Sequence, residues 1–198
     1  TCANLSHLAL KSSDFSNARI ANAQVAFANL SLSNLSGAWF TNSTLTGAML
    51  SEANLFKSVL VNANMTGVNL EGANLTNSIM IGSSLEGALL SGADLSQSSL
   101  VDADLSSAIL DGCNLTEALL KGANLSGTSI RNAFTLTQGQ LDSAYISGKA
   151  GVPNLENSTC AESGNALVWN GELDPMMNRN EHEQFPAEWW IFPPLGGG

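Results

Sequence analysis

Basic side chains are scarce in this chain: seven Lys and Arg stand against seventeen Asp and Glu in 198 residues, a formal net charge of −10. Duplex DNA carries one negative charge per ~1.7 Å, so a chain with no basic arm forgoes the phosphate attraction behind most non-specific affinity. No nucleic-acid partner is expected. No apolar run approaches the ~20 residues that span a bilayer, so membrane insertion is not expected, with peripheral association left open. No signal-like segment stands at the start, and the chain opens at Thr1 rather than Met, so a soluble, processed or trimmed form is expected.

Histidine occurs only as His7 and His182. No second His follows Glu181-His182-Glu183 at the i+4 spacing a zincin helix needs, and the stretch reads as solvated charge. With His7 near one end of the repeats described below and His182 in the tail, no Ser-His-Asp set is indicated. Neither a Gly-rich phosphate loop nor a Cys pair at metal spacing is present. The expectation is a protein that is not an enzyme, with no catalytic, cofactor or metal residues. Aromatics make up only 6%, while Leu, Ala, Ser, Asn and Gly dominate, and such skew calls for a search for internal repeats.

A repeat of five residues runs through two thirds of the chain. Every position divisible by five from Leu5 to Ile130 is apolar, 26 in succession. At the chain's 44% hydrophobic content the odds of this by chance are on the order of 10⁻⁹. Two residues before each centre the side chain is small, as at Ala23, Ser43, Ala73 and Ala123, with Leu8 and Val68 outside that rule. A period of five fits neither a helix at 3.6 nor a strand at 2, which leaves a chain that turns a corner every five residues. Positions two apart in an extended segment share a face, so the small residue and the centre both point inward. Gly recurs two residues after the centre, from Gly37 to Gly127, where a tight turn can demand a positive φ.

Segments such as Ala73-Asn74-Leu75-Thr76-Asn77, Ala93-Asp94-Leu95-Ser96-Gln97 and Ala123-Asn124-Leu125-Ser126-Gly127 resemble the A(D/N)LXX unit of pentapeptide-repeat proteins, over about residues 3–134. The resemblance implies an all-β solenoid, a right-handed quadrilateral parallel β-helix in which four pentapeptides make one coil. Twenty-six centres would make about 6.5 coils and, at the ~4.8 Å spacing of neighbouring strands, a rod roughly 31 Å long. A core of stacked Leu leaves no cavity of the size that binds small ligands. The family implies action by presented surfaces. No loop breaks the register, so the side loops typical of its gyrase-protecting members are missing.

Outward positions differ from face to face. Residues before the centre at 4, 14, 24 and onward by tens are Asn, Asp and similar polar types, for which hydrogen-bonded stacking is the simplest reading. Isolated carboxylates at 14, 94 and 104 do not gather the six to eight oxygens that Ca²⁺ takes. Sorting by twenties instead puts Trp39, Val59, Ile79 and Leu119 in one outward column, with Val61, Ile81 and Val101 beside it. Large apolar patches often mark interaction sites. Three readings stay open here: partner docking, cover by the tail or a second copy, and plain strand propensity of β-branched residues.

Beyond residue 134 the register fails. Domains are expected at 1–134 (repeats), 135–147 (a short helical C-terminal cap) and 148–198 (an extended acidic tail with Pro and Trp). Thr137-Gln138-Gly139-Gln140 has the form of a capping box ahead of Leu141, Ala144, Tyr145 and Ile146. At the other end the repeats start at Ala3 without an evident cap, so removed sequence, a second copy or a partner is expected to cover that edge. In the tail, Phe185, Trp189, Trp190 and Phe192 lie among prolines that rule out a long helix or central strand. Such aromatics suit a docking peptide, or a segment packed along its own solenoid. Cys113 takes an inward small position and reads as core, while a Cys2–Cys160 bridge would need the tail to fold back along the rod.

The functional expectation is a structural, interaction protein: a rigid scaffold whose apolar face and tail bind a protein partner or multi-subunit complex. The resemblance adds a photosynthetic-membrane assembly as a setting, with the thylakoid lumen or another exported compartment favoured over the cytoplasm. The alternative function is inhibition of DNA gyrase by mimicry of acidic DNA, which calls for carboxylates in rows; the repeats carry only nine acids and five bases.

Overall fold

The computed structural model describes residues 3–133 and 135–145. Parallel bridges join residues twenty apart throughout the repeats, so one circuit of the chain takes four pentapeptides. The bridges form four ladders, numbered by their first members Asn4, Ala9, Asp14 and Arg19. Each ladder underlies one outward face.

The repeat Leu75 to Ile79 shows why five residues suffice. Leu75 N–H donates forward to Asp94 O at 2.7 Å and Asn77 N–H to Ser96 O at 3.0 Å. Ser78 N–H closes the turn on Leu75 O at 3.0 Å, and Ile79 N–H donates back to Ser58 O at 2.9 Å. Four of five backbone donors are thus taken by backbone, as buried or ladder-forming chains require. The fifth, Thr76 N–H, is met by Asn74 Oδ1 at 3.0 Å.

Closing the turn this way puts the residue two after the centre at positive φ. Ten of these positions are Gly, but the rest are not: Phe27 (φ 58°) and Leu32 (φ 61°) hold the same conformation. An L-residue there costs roughly 1–2 kcal/mol, which the surrounding ladders outweigh.

Inside, the centres from Val25 to Leu125 and the corner alanines are sealed from solvent, with Phe40, Met65 and Met80 among the aliphatic stack. Hydroxyls at the corners are satisfied by backbone: Ser43 Oγ donates to Ile20 O at 2.7 Å and Ser98 Oγ to Leu95 O at 2.7 Å. Ser58 Oγ and Ser78 Oγ are buried without a partner among the described residues. Cys113 lies in this core and its Sγ donates to Leu90 O at 2.9 Å. Burial pushes its thiol up to about 12, so it stays protonated.

Past the repeats, helix α1 spans Gln138–Ser143. Thr137 caps it, with its side chain accepting from Gln140 N–H and Gln140 Oε1 accepting from Thr137 N–H at 2.8 Å. Gln140 Nε2 also donates to Leu115 O and Ala118 O, and Leu136, Leu141 and Ala144 are buried. The helix is shorter than the sequence suggests. Tyr145, expected to follow on its apolar stripe, instead rejoins the first ladder beside Asn124, where Tyr145 N–H donates to Ala123 O and Leu125 N–H to Tyr145 O. Two ladder bonds are available there, and one more helical turn would forgo them. The opposite end is more open: Leu5, Leu10 and Phe15 are partly buried and Leu8 is 44% exposed.

Candidate functional site

The fourth face is built by the ladder Arg19, Trp39, Val59, Ile79, Ser99 and Leu119. Trp39 and Leu119 stand well out, at 46% and 58% exposed, and Ile79 and Ile81 are also exposed. Val59, Val61 and Val101 are half-buried between them. From Trp39 to Leu119 are four ladder steps, ~19 Å at the spacing of neighbouring strands. Ser99 is a polar interruption that the column of apolar residues passes over. The Arg19 guanidinium carbon sits 5.2 Å from the centre of the Trp39 ring, a cation–π contact that fixes one end of the face.

The backbone of this face carries a second property. Where a ladder residue is Asn or Asp, its side-chain oxygen accepts the N–H two residues on. On the third face this holds at Asp14, Asn34, Asn54, Asn74, Asp94 and Asn114. Trp39, Val59, Ile79 and Leu119 have no such oxygen. The N–H groups of Thr41, Val61, Ile81, Val101 and Lys121 accordingly have no acceptor among the described residues. The apolar face is therefore also a row of free hydrogen-bond donors, one per coil. Sequence reasoning missed this row; its signal was the absence of Asn and Asp from one column in four.

Charge sharpens the contrast. The outward residues of the fourth face include two cations, Arg19 and Lys121, one near each end, and one exposed carboxylate, Asp102, at the corner beside Val101 and Lys121. On the third face Asn34 Nδ2 donates to Asp14 Oδ1 at 3.3 Å and Asn74 Nδ2 to Asn54 Oδ1 at 3.3 Å, a self-satisfied polar ladder. Among the described residues no group of three or more His, Cys, Asp or Glu could hold a metal ion, and no helix is long and apolar enough to cross a membrane. The other named site residues, Phe185, Trp189, Trp190 and Phe192, lie outside the described residues, as do Cys2 and Cys160.

The family profile described as pentapeptide repeats matches in eight copies, over residues 1–37, 28–67, 58–97 and 98–134. The chain belongs to the pentapeptide repeat family. Among solved pentapeptide-repeat structures it is similar to Rfr23 of the cyanobacterium Cyanothece 51142, at 30% identity over 61% of this chain and 82% of that one, TM-score 0.43. A protein of the Arabidopsis thaliana thylakoid lumen is similar at 26% identity over 45% of this chain and 66% of that one, TM-score 0.36. The plasmid-mediated fluoroquinolone resistance protein QnrB1 is similar at 17% identity over 73% and 79%, TM-score 0.46. Among curated proteins none matches. Pentapeptide-repeat proteins are generally structural or interaction proteins, which suits a molecule whose described interior is filled with side chains and whose variety lies outside.

Proposed function

We propose that this pentapeptide-repeat chain is a non-enzymatic scaffold, a right-handed rod of about 6.5 coils closed by α1, that docks to a protein partner or larger complex. Docking uses the fourth face, through Trp39, Val59, Val61, Ile79, Ile81, Val101 and Leu119, together with the tail aromatics Phe185, Trp189, Trp190 and Phe192. One observation carries the reading: the fourth face combines exposed apolar side chains with unpaired backbone donors. Strand propensity accounts for the valines, isoleucines and Trp39 there, but not for Leu119 standing out into solvent, nor for the contiguity of the apolar column.

The test is retention of a protein from an extract of the source organism on the immobilised full chain. Trp39→Ala and Ile79→Asp should abolish retention of a band that Asn74→Ala on the third face leaves in place. Equal loss from both faces, or no difference, would overturn the reading.

The gyrase alternative asks for closely spaced carboxylates. On the third face Asp14 and Asp94 are four ladder steps apart with Asn34, Asn54 and Asn74 between them. A supercoiling assay decides it: inhibition at micromolar protein would favour mimicry over scaffolding.

A further inference from the structure

We propose that the fourth face, in the free protein, is occupied by the chain's own segment 181–192, which a partner must displace to dock. The inference rests on the fourth face being the docking surface, and it names what covers that surface beforehand.

The chemistry of the face defines its occupant. The floor of the face is apolar from Trp39 to Leu119, so the occupant must bring large apolar groups. Free N–H groups at Thr41, Val61, Ile81, Val101 and Lys121 call for acceptors, because a donor buried by an occupant without one loses its water and gains nothing. Arg19 and Lys121 outnumber the one carboxylate at the edge of that face, Asp102, and the balance favours an anionic occupant. Acidic, aromatic and acceptor-rich is a narrow description.

The segment Glu181-His182-Glu183-Gln184-Phe185-Pro186-Ala187-Glu188-Trp189-Trp190-Ile191-Phe192 meets it. It carries Glu181, Glu183 and Glu188 and no Lys or Arg. Five large apolar side chains, Phe185, Trp189, Trp190, Ile191 and Phe192, match the floor. Pro186 supplies a carbonyl without adding a donor. No other stretch of the chain combines three acids with this density of aromatics.

Connectivity permits the return. The described chain ends at Tyr145 against Asn124, at the far end of the repeats from Ala3. Residues 146–180 follow before the segment begins, and 35 residues span at most ~3.3–3.6 Å each, several times the ~19 Å between Leu119 and Trp39. Tethering also raises the local concentration of the segment, so a weak intrinsic affinity suffices.

The experiment places a benzophenone photoprobe at position 79 of the full chain, with a matched probe at position 74 on the third face. After irradiation, the monomer fraction is digested and crosslinks are mapped by mass spectrometry. Crosslinks from position 79 into 181–192 are expected, about tenfold or more over those from position 74. Trp189→Ser with Trp190→Ser should remove them, and these substitutions lie outside the repeats. Crosslinks that appear only in a dimer fraction assign the face to a second copy and overturn the proposal. An absence of crosslinks into 181–192 from position 79 overturns it as well. Loss of extract retention in Ile79→Asp with no intramolecular crosslink would sink this proposal alone. The converse result would sink the docking reading and leave the covered face standing.

Discussion

The third and fourth faces of the repeats share one backbone path and one core, and they differ in two outward columns of side chains, the ladder residue and the one two positions on. On the third face, Asn and Asp close the one donor that each turn leaves open, and the face is finished. On the fourth, Trp, Val, Ile and Leu leave the same donor open and add apolar surface around it. A repeat whose other four donors are met within the stacked coils can thus be left open or closed at its fifth donor by the choice of ladder residue. The scaffold sets stability; the ladder residue sets what the face is available for.

The largest test of that separation concerns what the two faces share. Leu75 lies behind the third face and Leu60 behind the fourth, both fully buried. Replacing either with Ala should cost about 2–5 kcal/mol, by lost burial and the cavity left in a stack that cannot collapse easily. Urea unfolding midpoints measure it. A large cost behind one face and a negligible one behind the other would mean that the faces do not rest on a common core.

A swap of ladder residues reads the difference directly. Asn54→Ala removes the acceptor for Phe56 N–H and both rungs, the one it donates to Asn34 and the one it accepts from Asn74, and should cost about 1 kcal/mol in urea unfolding. Ile79→Asn does the reverse, offering Ile81 N–H the oxygen it lacks, and should leave stability unchanged or raise it by up to about 1 kcal/mol. The same Ile79→Asn should weaken docking. If it lowers stability as much as Asn54→Ala does, the open donors are not what distinguishes the faces.

Smaller still is the effect at the corners behind the fourth face. Ser58, Ser78 and Ser98 occupy the same corner of successive coils, yet only the Ser98 hydroxyl finds a carbonyl. Ser78→Ala should therefore stabilise by up to about 1 kcal/mol, since an unmet buried hydroxyl is removed and Ala suits the corner. Ser98→Ala should be neutral or slightly destabilising. Thermal unfolding of the two variants side by side checks the sign.

Much of this was legible in the sequence, for a physical reason. The register of five shows directly because inward positions must be apolar or small whatever the face. Sorting by twenties placed Trp39, Val59, Ile79 and Leu119 together because a coil takes twenty residues, and the bridges join these same positions through Ser99. The Thr137 and Gln140 pairing showed because side chains make it. What escaped notice belongs to the backbone. Positive φ at Phe27 and Leu32 has no residue signature, since the ladders impose it on side chains that would not choose it. The open donors of the fourth face have no letter of their own, and the return of Tyr145 to the first ladder depends on bonds offered by Ala123 and Leu125.

The smallest predicted effect sharpens the account of the finished face at its first rung. Asp14 accepts Ser16 N–H at 2.8 Å, and this bond, with a further one to the Ser16 side chain, holds its carboxyl below the usual Asp value. A carboxyl lowered on folding adds stability that is present above the unfolded value near 3.8 and is lost as pH falls through the folded one. Asp14→Asn keeps the acceptor oxygen and removes the titration. The variant should match wild type at pH 7 and lose less stability below pH ~4, measured by urea midpoints across that range. The carboxylate is fully exposed, so the difference is small and shrinks with salt. If the two curves stay parallel into acid, the turn is held by oxygen geometry alone, and the charge at Asp14 adds nothing that Asn at the other rungs does not already supply.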